Sequence, residues 1–324
     1  MQARDVEQWD AQYDVLVVGS GNGALTAAIV ACDGGSSVLV VEKAPMFGGT
    51  SASSGGGVWI PNNRYAIQEG DDDSFDDARA YLDYVSPEGT IDPSLLATYV
   101  SKGPETIQYL HEKTSWVRYT NLAHYPDYFP EAPGGKTGNR SMEPAPLHAS
   151  ELGDDFSKLS RQHPQTCMPG GINFTQVEGA VVLAGTRGWF KLSMKLVMKY
   201  LTDFPLRLKT LRDGRLTMGN AGVARLFPAL KDRKVPLWLE TPLETLISED
   251  GAVVGVKVMR NNQPFYIRAH KGVILAAGGF ERDQGMREQY LPSPTDTRWS
   301  AGNLYNTGDA IKAAQELGAA TAQM

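Results

Sequence analysis

The chain has 324 residues, 42% of them hydrophobic, which is enough for one large core or two ordinary ones. Its formal net charge of −6 gives no general attraction for nucleic acid, so no such partner is expected. The two cysteines, Cys32 and Cys167, lie far apart and form neither a disulfide framework nor a metal-ligand pattern, so a reducing, cytoplasmic setting is expected.

The first segment, MQARDVEQWDAQYD, is polar and acidic and lacks the basic-then-apolar order of a secretory signal. No run of about eighteen apolar residues follows anywhere, so no membrane span is expected. Tyr13–Val18 (YDVLVV) is rich in β-branched residues and ends at glycine, as a strand buried on both faces should. Ala24–Cys32 is small, apolar and helix-friendly, with Cys32 a small buried hydrophobe in that helix. Ser37–Val41 (SVLVV) is a second strand closed by Glu42. Together these make a βαβ unit of about thirty residues. Within it, Gly19-x-Gly21-x-x-Ala24 fits the dinucleotide fingerprint. Gly19 permits the tight turn, Gly21 admits a pyrophosphate to the backbone, and Ala24 lets the helix pack closely. Free N–H groups at the helix start favour the anion, and Glu42 stands where an acid holds a ribose hydroxyl.

Phe47–Asn63 (FGGTSASSGGGVWIPNN) has the composition of a flexible linker. Its position just after Glu42-Lys43 argues for a binding loop instead. Glycines let backbone amides crowd an anion, and Thr50 and Ser51 add hydroxyl donors. The following VWIPNN is too apolar for a solvated linker.

Asp76–Tyr109 predicts amphipathic helices, and Ser115–Gly138 is an ordered loop rich in Pro, Tyr and Trp. In Trp189–Leu201, the residues Trp189, Leu192, Leu196, Val197, Tyr200 and Leu201 share one helical face, with Lys191, Lys195 and Lys199 opposite. Arg187, Arg207 and Lys209 make the region basic within an acidic chain. This pattern suits either a helix lying in a membrane interface, giving peripheral membrane association, or a cap helix packed on its neighbours. Leu237–Val258 reads as a hairpin turning at Asp250-Gly251, and Lys271–Gly279 as a buried parallel strand ending in glycines. In Asn306-Thr307-Gly308-Asp309 the asparagine suits an N-cap and Asp309 a first helical turn. His111, His124, His148, His163 and His270 are scattered, so no metal is expected. No G-x-S-x-G elbow points to a hydrolase.

GSGNGALTAA, VVEKAPMFGGTSASSGGGVWIPNN, GVILAAGGFERD and NTGDAIKAAQELGA together resemble the FAD-binding part of the fumarate reductase-like flavoproteins. Within that group GGTSASSGGGVWIPNN and HYPDYFPEAPGG are similar to the 3-ketosteroid dehydrogenases, which introduce a double bond into steroid ring A. The resemblance runs in blocks from about Tyr13 to the C-terminus. It implies a Rossmann-like α/β fold, a doubly wound parallel sheet with an inserted substrate or cap region. The expected division is 1–110 as the FAD-binding βαβ with following helices, 111–235 as the insertion, and 236–324 as the return to the FAD-binding domain.

Non-covalent FAD is the implied cofactor. Its expected contacts are Gly19, Gly21, Asn22, Gly23, Ala24, Glu42, Lys43, Gly48, Gly49, Thr50, Ser51, Ser54, Gly55, Gly56, Gly57, Ala277, Gly278, Asn306, Asp309, and Leu243 through its backbone at the adenine. The resemblance also implies that Tyr128 of Tyr125-Pro126-Asp127-Tyr128 assists catalysis; the residues alone allow packing of a Pro-rich loop, with Tyr125 the competing tyrosine. Family members are longer, so the chain is expected to be an N-terminal portion, or one subunit completed by a C-terminal chain. The expected activity is desaturation of a 3-ketosteroid at C1–C2, with an external electron acceptor. The alternatives are a ketosteroid dehydrogenase acting at C4–C5, a reductase of a small unsaturated acid, and a non-catalytic FAD-binding subunit.

Overall fold

The computed structural model describes residues 1–322. By internal contacts the chain divides into two units, one of residues 1–53, 152–161 and 226–324, the other of residues 54–151 and 162–225. The inserted unit therefore opens at Ser54, not after residue 110, and closes at Arg225, not at 235. The amphipathic helices expected over Asp76–Tyr109 form as Phe75–Val85 and Pro93–Lys113; they pack on each other, and Ile107 of the second joins Ile60 and Met142 in a core of the insertion.

The first unit is built on a six-stranded sheet. Its elements are β1 (Ala11–Val18), α1 (Asn22–Asp33), β2 (Val38–Val41), the short helix α2 (Gly49–Ser53), β3 (Leu237–Trp238), β4 (Leu243–Glu249), β5 (Ala252–Arg260), β6 (Gln263–Leu275), α3 (Gln284–Tyr290) and α4 (Asp309–Gln315). The strand order is β3-β2-β1-β6-β5-β4. The first four strands are parallel, and β4 and β5 join as the antiparallel hairpin expected at Asp250-Gly251. Asp250 (φ 50°) and Gly251 (φ 81°) supply the left-handed conformations that such a turn requires.

Alternation along β1 and β2 sets the two layers. Leu16, Val18, Leu39 and Val41 share a core with Leu246, Val256, Ala310 and Ala313, so α4 covers that face. Val17 and Val40 are equally buried, and α1 lies against both strands through Ala24, Leu25, Ala28 and Ile29. Both faces are covered, as the near-continuous apolar runs required. β5 pairs with β6 only from Gln263 to Arg268, whereas β1 pairs with it as far as Leu275. Among the described residues no strand pairs with the other edge of Ala269–Leu275.

The second unit contains a three-stranded sheet of Val58–Trp59, Ser141–Pro144 and Tyr119–Asn121, all antiparallel neighbours. Ser74, Asp92 and Thr175 cap the helices that follow them by accepting backbone N–H bonds. VWIPNN is structural: Ile60 is buried, and the Asn63 side chain accepts from Tyr65 and Ala66 while donating to the Ile60 and Asn139 carbonyls.

The helix expected at Trp189–Leu201 runs from Trp189 to Thr202. Leu196 is buried against Ile172, Phe174 and Met218, with Leu192, Val197 and Tyr200 packed alongside. That part of the apolar face is core, the packing that the cap-helix alternative expects. Trp189, Phe190, Met194, Met198 and Leu201 are exposed instead, beside exposed Lys191, Lys195 and Lys199. Among the described residues no helix is long and apolar enough to cross a membrane.

Candidate functional site

A cavity of about 380 Å³ in the first unit opens where β1, β2 and β6 end, the crevice at which doubly wound sheets bind ligands. Gly19 (φ 107°) leads out of β1, and a Cβ there would meet the Ala276 carbonyl oxygen at 2.2 Å, so the turn admits only glycine. Gly21 caps α1, and a Cβ on it would press on the Ser51 hydroxyl at 3.0 Å. That hydroxyl accepts the Asn22 amide at 3.1 Å, while helix geometry leaves the Gly23 and Ala24 amides without an intrahelical carbonyl. The far wall is α2, whose first residues Gly49, Thr50 and Ser51 line the cavity. The predicted binding loop is thus partly a helix start, a second source of backbone donors.

Glu42, 9% exposed, accepts the Ser20 hydroxyl at 2.5 Å and the Ala44 amide at 2.9 Å. Ser20 in turn accepts the Gly48 amide at 2.9 Å, tying the two glycine turns together. Lys43 donates to Thr307 and to Asp309, both at 2.6 Å. Asn306 donates to Thr50 at 2.9 Å and Glu281 at 2.7 Å. Gly278 (φ 82°) lies so close to Asn306 that an added Cβ would stand 2.7 Å from its Oδ1.

Gly19, Gly21, Gly23, Ala24, Glu42, Lys43, Gly49, Thr50, Ser51, Leu243, Ala277, Gly278, Asn306 and Asp309 of the expected set all line this cavity. Gly48 stands behind the lining as a donor to Ser20, and Asn22 contributes its amide to Ser51. Sequence reasoning missed Ser20, Thr241, Glu281, Tyr305 and Gly308. Of these, Ser20 was visible inside the glycine fingerprint.

Two features leave a ligand room and an unmet hydrogen bond at these residues. The Asn22 Oδ1 at the start of α1 is buried with no partner, and an unpaired buried acceptor calls for a donor such as a ligand hydroxyl. A Cβ built on Gly23 or Gly49 would meet no protein atom within 4 Å, so open space lies against both backbones.

Ser54, Gly55, Gly56 and Gly57 are not part of this cavity. They belong to the second unit, where Gly56 (φ 71°) is clamped on the Met218–Gly219 backbone and Ser54 accepts the Gly219 amide at 3.1 Å. They line a separate cavity of about 560 Å³ together with Trp59, Tyr81, Tyr125 and Tyr128. Tyr128 is 87% exposed and Tyr125 47%, so neither is a core aromatic. Asp127 beside Tyr128 is buried and accepts from Trp59 Nε1 at 2.6 Å, Arg140 Nη1 at 2.9 Å and the Lys136 amide at 3.0 Å. No lysine or arginine is among the residues lining this cavity. Among the described residues no group of three or more His, Cys, Asp or Glu side chains could hold a metal ion.

Residues 14–324 match the family model described as an FAD binding domain. The 3-oxosteroid 1-dehydrogenase of Mycolicibacterium smegmatis is 38% identical over 317 residues, 95% of this chain and 54% of that protein. The 3-oxosteroid 1-dehydrogenase of Comamonas testosteroni is 38% identical over 318 residues, 94% of this chain and 53% of that protein. Among solved structures, a 3-ketosteroid Δ1-dehydrogenase from Sterolibacterium denitrificans, in complex with 1,4-androstadiene-3,17-dione, superposes with a TM-score of 0.90 at 46% identity. That match covers 95% of this chain and 55% of the other. The chain spans about half the length of the curated relatives it matches. Its cofactor is FAD, and the chain belongs to the FAD-binding domain family.

Proposed function

We propose that this chain forms the cofactor-binding part of an FAD-dependent dehydrogenase that introduces a C1–C2 double bond into ring A of a 3-ketosteroid. The observation that carries the reading is the second cavity, walled by Trp59, Tyr81, Tyr125 and Tyr128 with no cationic side chain in its lining. An apolar ring system suits that wall, whereas a dicarboxylate requires cations to replace its hydration. The similarity to 3-oxosteroid 1-dehydrogenases supports the same substrate class.

The amides at the starts of α1 and α2 would hold the pyrophosphate, Glu42 a ribose hydroxyl, and the Leu243 backbone the adenine. Lys43, Asn306 and Asp309 complete the polar wall. FAD, when bound, supplies the hydride acceptor. The chain must then manage the proton lost from the carbon next to the carbonyl. The Tyr128 hydroxyl, exposed in an apolar cavity, either accepts that proton or hydrogen-bonds the carbonyl. Reoxidation needs an external acceptor. The edge of Ala269–Leu275 that no described strand pairs would take a further strand from a complementary segment.

We also propose that the basic helix at Trp189–Thr202 meets an anionic membrane surface. The support is the exposed set Trp189, Phe190, Met194, Met198 and Leu201 beside three exposed lysines, continued by exposed Phe204 and Leu208.

Incubation of the FAD-loaded protein with an androstenedione-type steroid and an artificial electron acceptor tests the main reading. A product lighter by the mass of dihydrogen, desaturated in ring A, is expected. Fumarate reduction without steroid turnover would replace this reading with that of a small-acid reductase, and activity on neither would leave a non-catalytic FAD-binding role.

A further inference from the structure

Tyr128 makes little packing of its own, being 87% exposed, yet its loop is tightly held. The Asp127 amide donates to the Lys136 carbonyl at 3.0 Å and the Phe129 amide to the Tyr81 hydroxyl at 3.4 Å. The anchor is the Asp127 carboxylate, which takes donors from two separate parts of the second unit, Trp59 on one strand and Lys136 and Arg140 on the segment leading into another. Arg140 is 1% exposed and carries the arrangement further. Its Nε and Nη2 grip Asp73 at 2.9 and 2.7 Å, and its Nη1 reaches Asp127 at 2.9 Å. The same guanidinium stands 5.5 Å from the Trp59 ring centre and 5.6 Å from that of Tyr81. Both rings line the cavity that carries Tyr128. One buried cation therefore links the strand after the glycine run, the start of the helix Phe75–Val85 and the tyrosine loop. A planar fork can serve two carboxylates at once, which a lysine ammonium at the same place cannot do with the same geometry.

We infer that Arg140, acting through Asp127, is a positioning residue for Tyr128 and fixes the aromatic wall on which the substrate lies. The inference rests on the catalytic reading of Tyr128. Neither Arg140 nor Asp127 needs to touch the reacting atoms; together they hold the hydroxyl where a proton can be exchanged, and small displacements of such a group are costly.

The test is a double-mutant cycle of Asp127→Asn with Tyr128→Phe in the FAD-loaded enzyme. Asn keeps the shape but loses the charge that holds Arg140 and Trp59. Asp127→Asn should lower kcat on the order of tenfold with KM and FAD affinity little changed, and this loss should vanish in the Tyr128→Phe background. Arg140→Lys should reproduce the Asp127→Asn effect. A second arm needs no turnover: amide hydrogen exchange on the chain itself. In Asp127→Asn the Asp127 and Phe129 amides should exchange about tenfold faster, with the Ser141–Pro144 strand unchanged. Equal losses of kcat from Asp127→Asn in both backgrounds, or unchanged exchange in the loop, would overturn the positioning role while leaving Tyr128 catalytic. Full activity of Tyr128→Phe alone would instead remove the catalytic reading, and the positioning role with it.

Discussion

Replacing Glu42 separates two duties of one buried carboxylate. Its oxygens hold the Ser20 hydroxyl and the Ala44 amide, and Ser20 passes the link on to the Gly48 amide. Ala would leave a buried hydroxyl and a buried amide unpaired, costing the folded chain about 1–3 kcal/mol for each group, whether or not cofactor is present. Loss of the charge-assisted bond to a ribose hydroxyl should weaken FAD by a further ~1.5–3 kcal/mol, or roughly 10- to 150-fold in Kd. Gln separates the two duties. Its Oε1 still accepts the Ala44 amide, but its amide nitrogen cannot accept from Ser20. Glu42→Gln should therefore cost less stability than Glu42→Ala while losing a comparable share of FAD affinity. Denaturant unfolding without cofactor measures the first effect, and calorimetric FAD titration of the folded protein measures the second. FAD binding by both variants within about twofold of the parent would refute the ribose role and leave Glu42 as a brace between the two glycine turns.

Tyr128→Phe should retain fold and FAD but lower turnover by about 10²-fold or more, as general acid–base groups do; steady-state assay of the steroid reaction checks it, and full activity contradicts it. Burial raises the pKa of Glu143 above its ordinary 4.5, although it accepts the Gln176 amide at 2.7 Å. The folded state then binds a proton more tightly than the unfolded chain, so stability falls as pH rises from 4.5 through the raised pKa. Glu143→Gln should remove that slope and raise Tm at neutral pH; pH-dependent thermal melts decide, and a lower Tm at pH 7 would count against it. Changing Lys191, Lys195 and Lys199 to Glu should release the protein from anionic liposomes at low salt with the melt unchanged. A parent protein that stays in the supernatant would end the membrane proposal.

The sheet was legible because its signals are local. Leu16–Val18 and Val38–Val41 are short apolar runs, and the glycine at 19 is demanded by one turn. The hairpin at Asp250-Gly251 was equally plain. Contacts between distant segments were not. Arg140 meets Asp73, 67 positions earlier, and no local pattern announces such a pair. The same holds for Glu281, which reaches the cavity from irregular backbone and finds Asn306 only in three dimensions. Ser54–Gly57 continue the composition of Gly48–Gly49, so sequence offered no reason to divide them between two cavities; the backbone contact of Gly56 with Met218 and Gly219 does so. A helical wheel found the helix at Trp189 and four residues of its packed side, but not the exposure of Trp189 and Leu201. Leu192, Leu196, Val197 and Tyr200 turn toward Phe174 and Met218, while Trp189 and Leu201 at the helix ends remain exposed.

Anaerobic titration of the FAD-loaded protein with an androstenedione-type steroid, followed by flavin absorbance, tests the central claim most directly. The oxidised flavin band should bleach in proportion to added steroid, with the ring A diene formed in matching amount. An oxidised spectrum unmoved by steroid, together with a chemically reduced flavin that fumarate reoxidises, would contradict it.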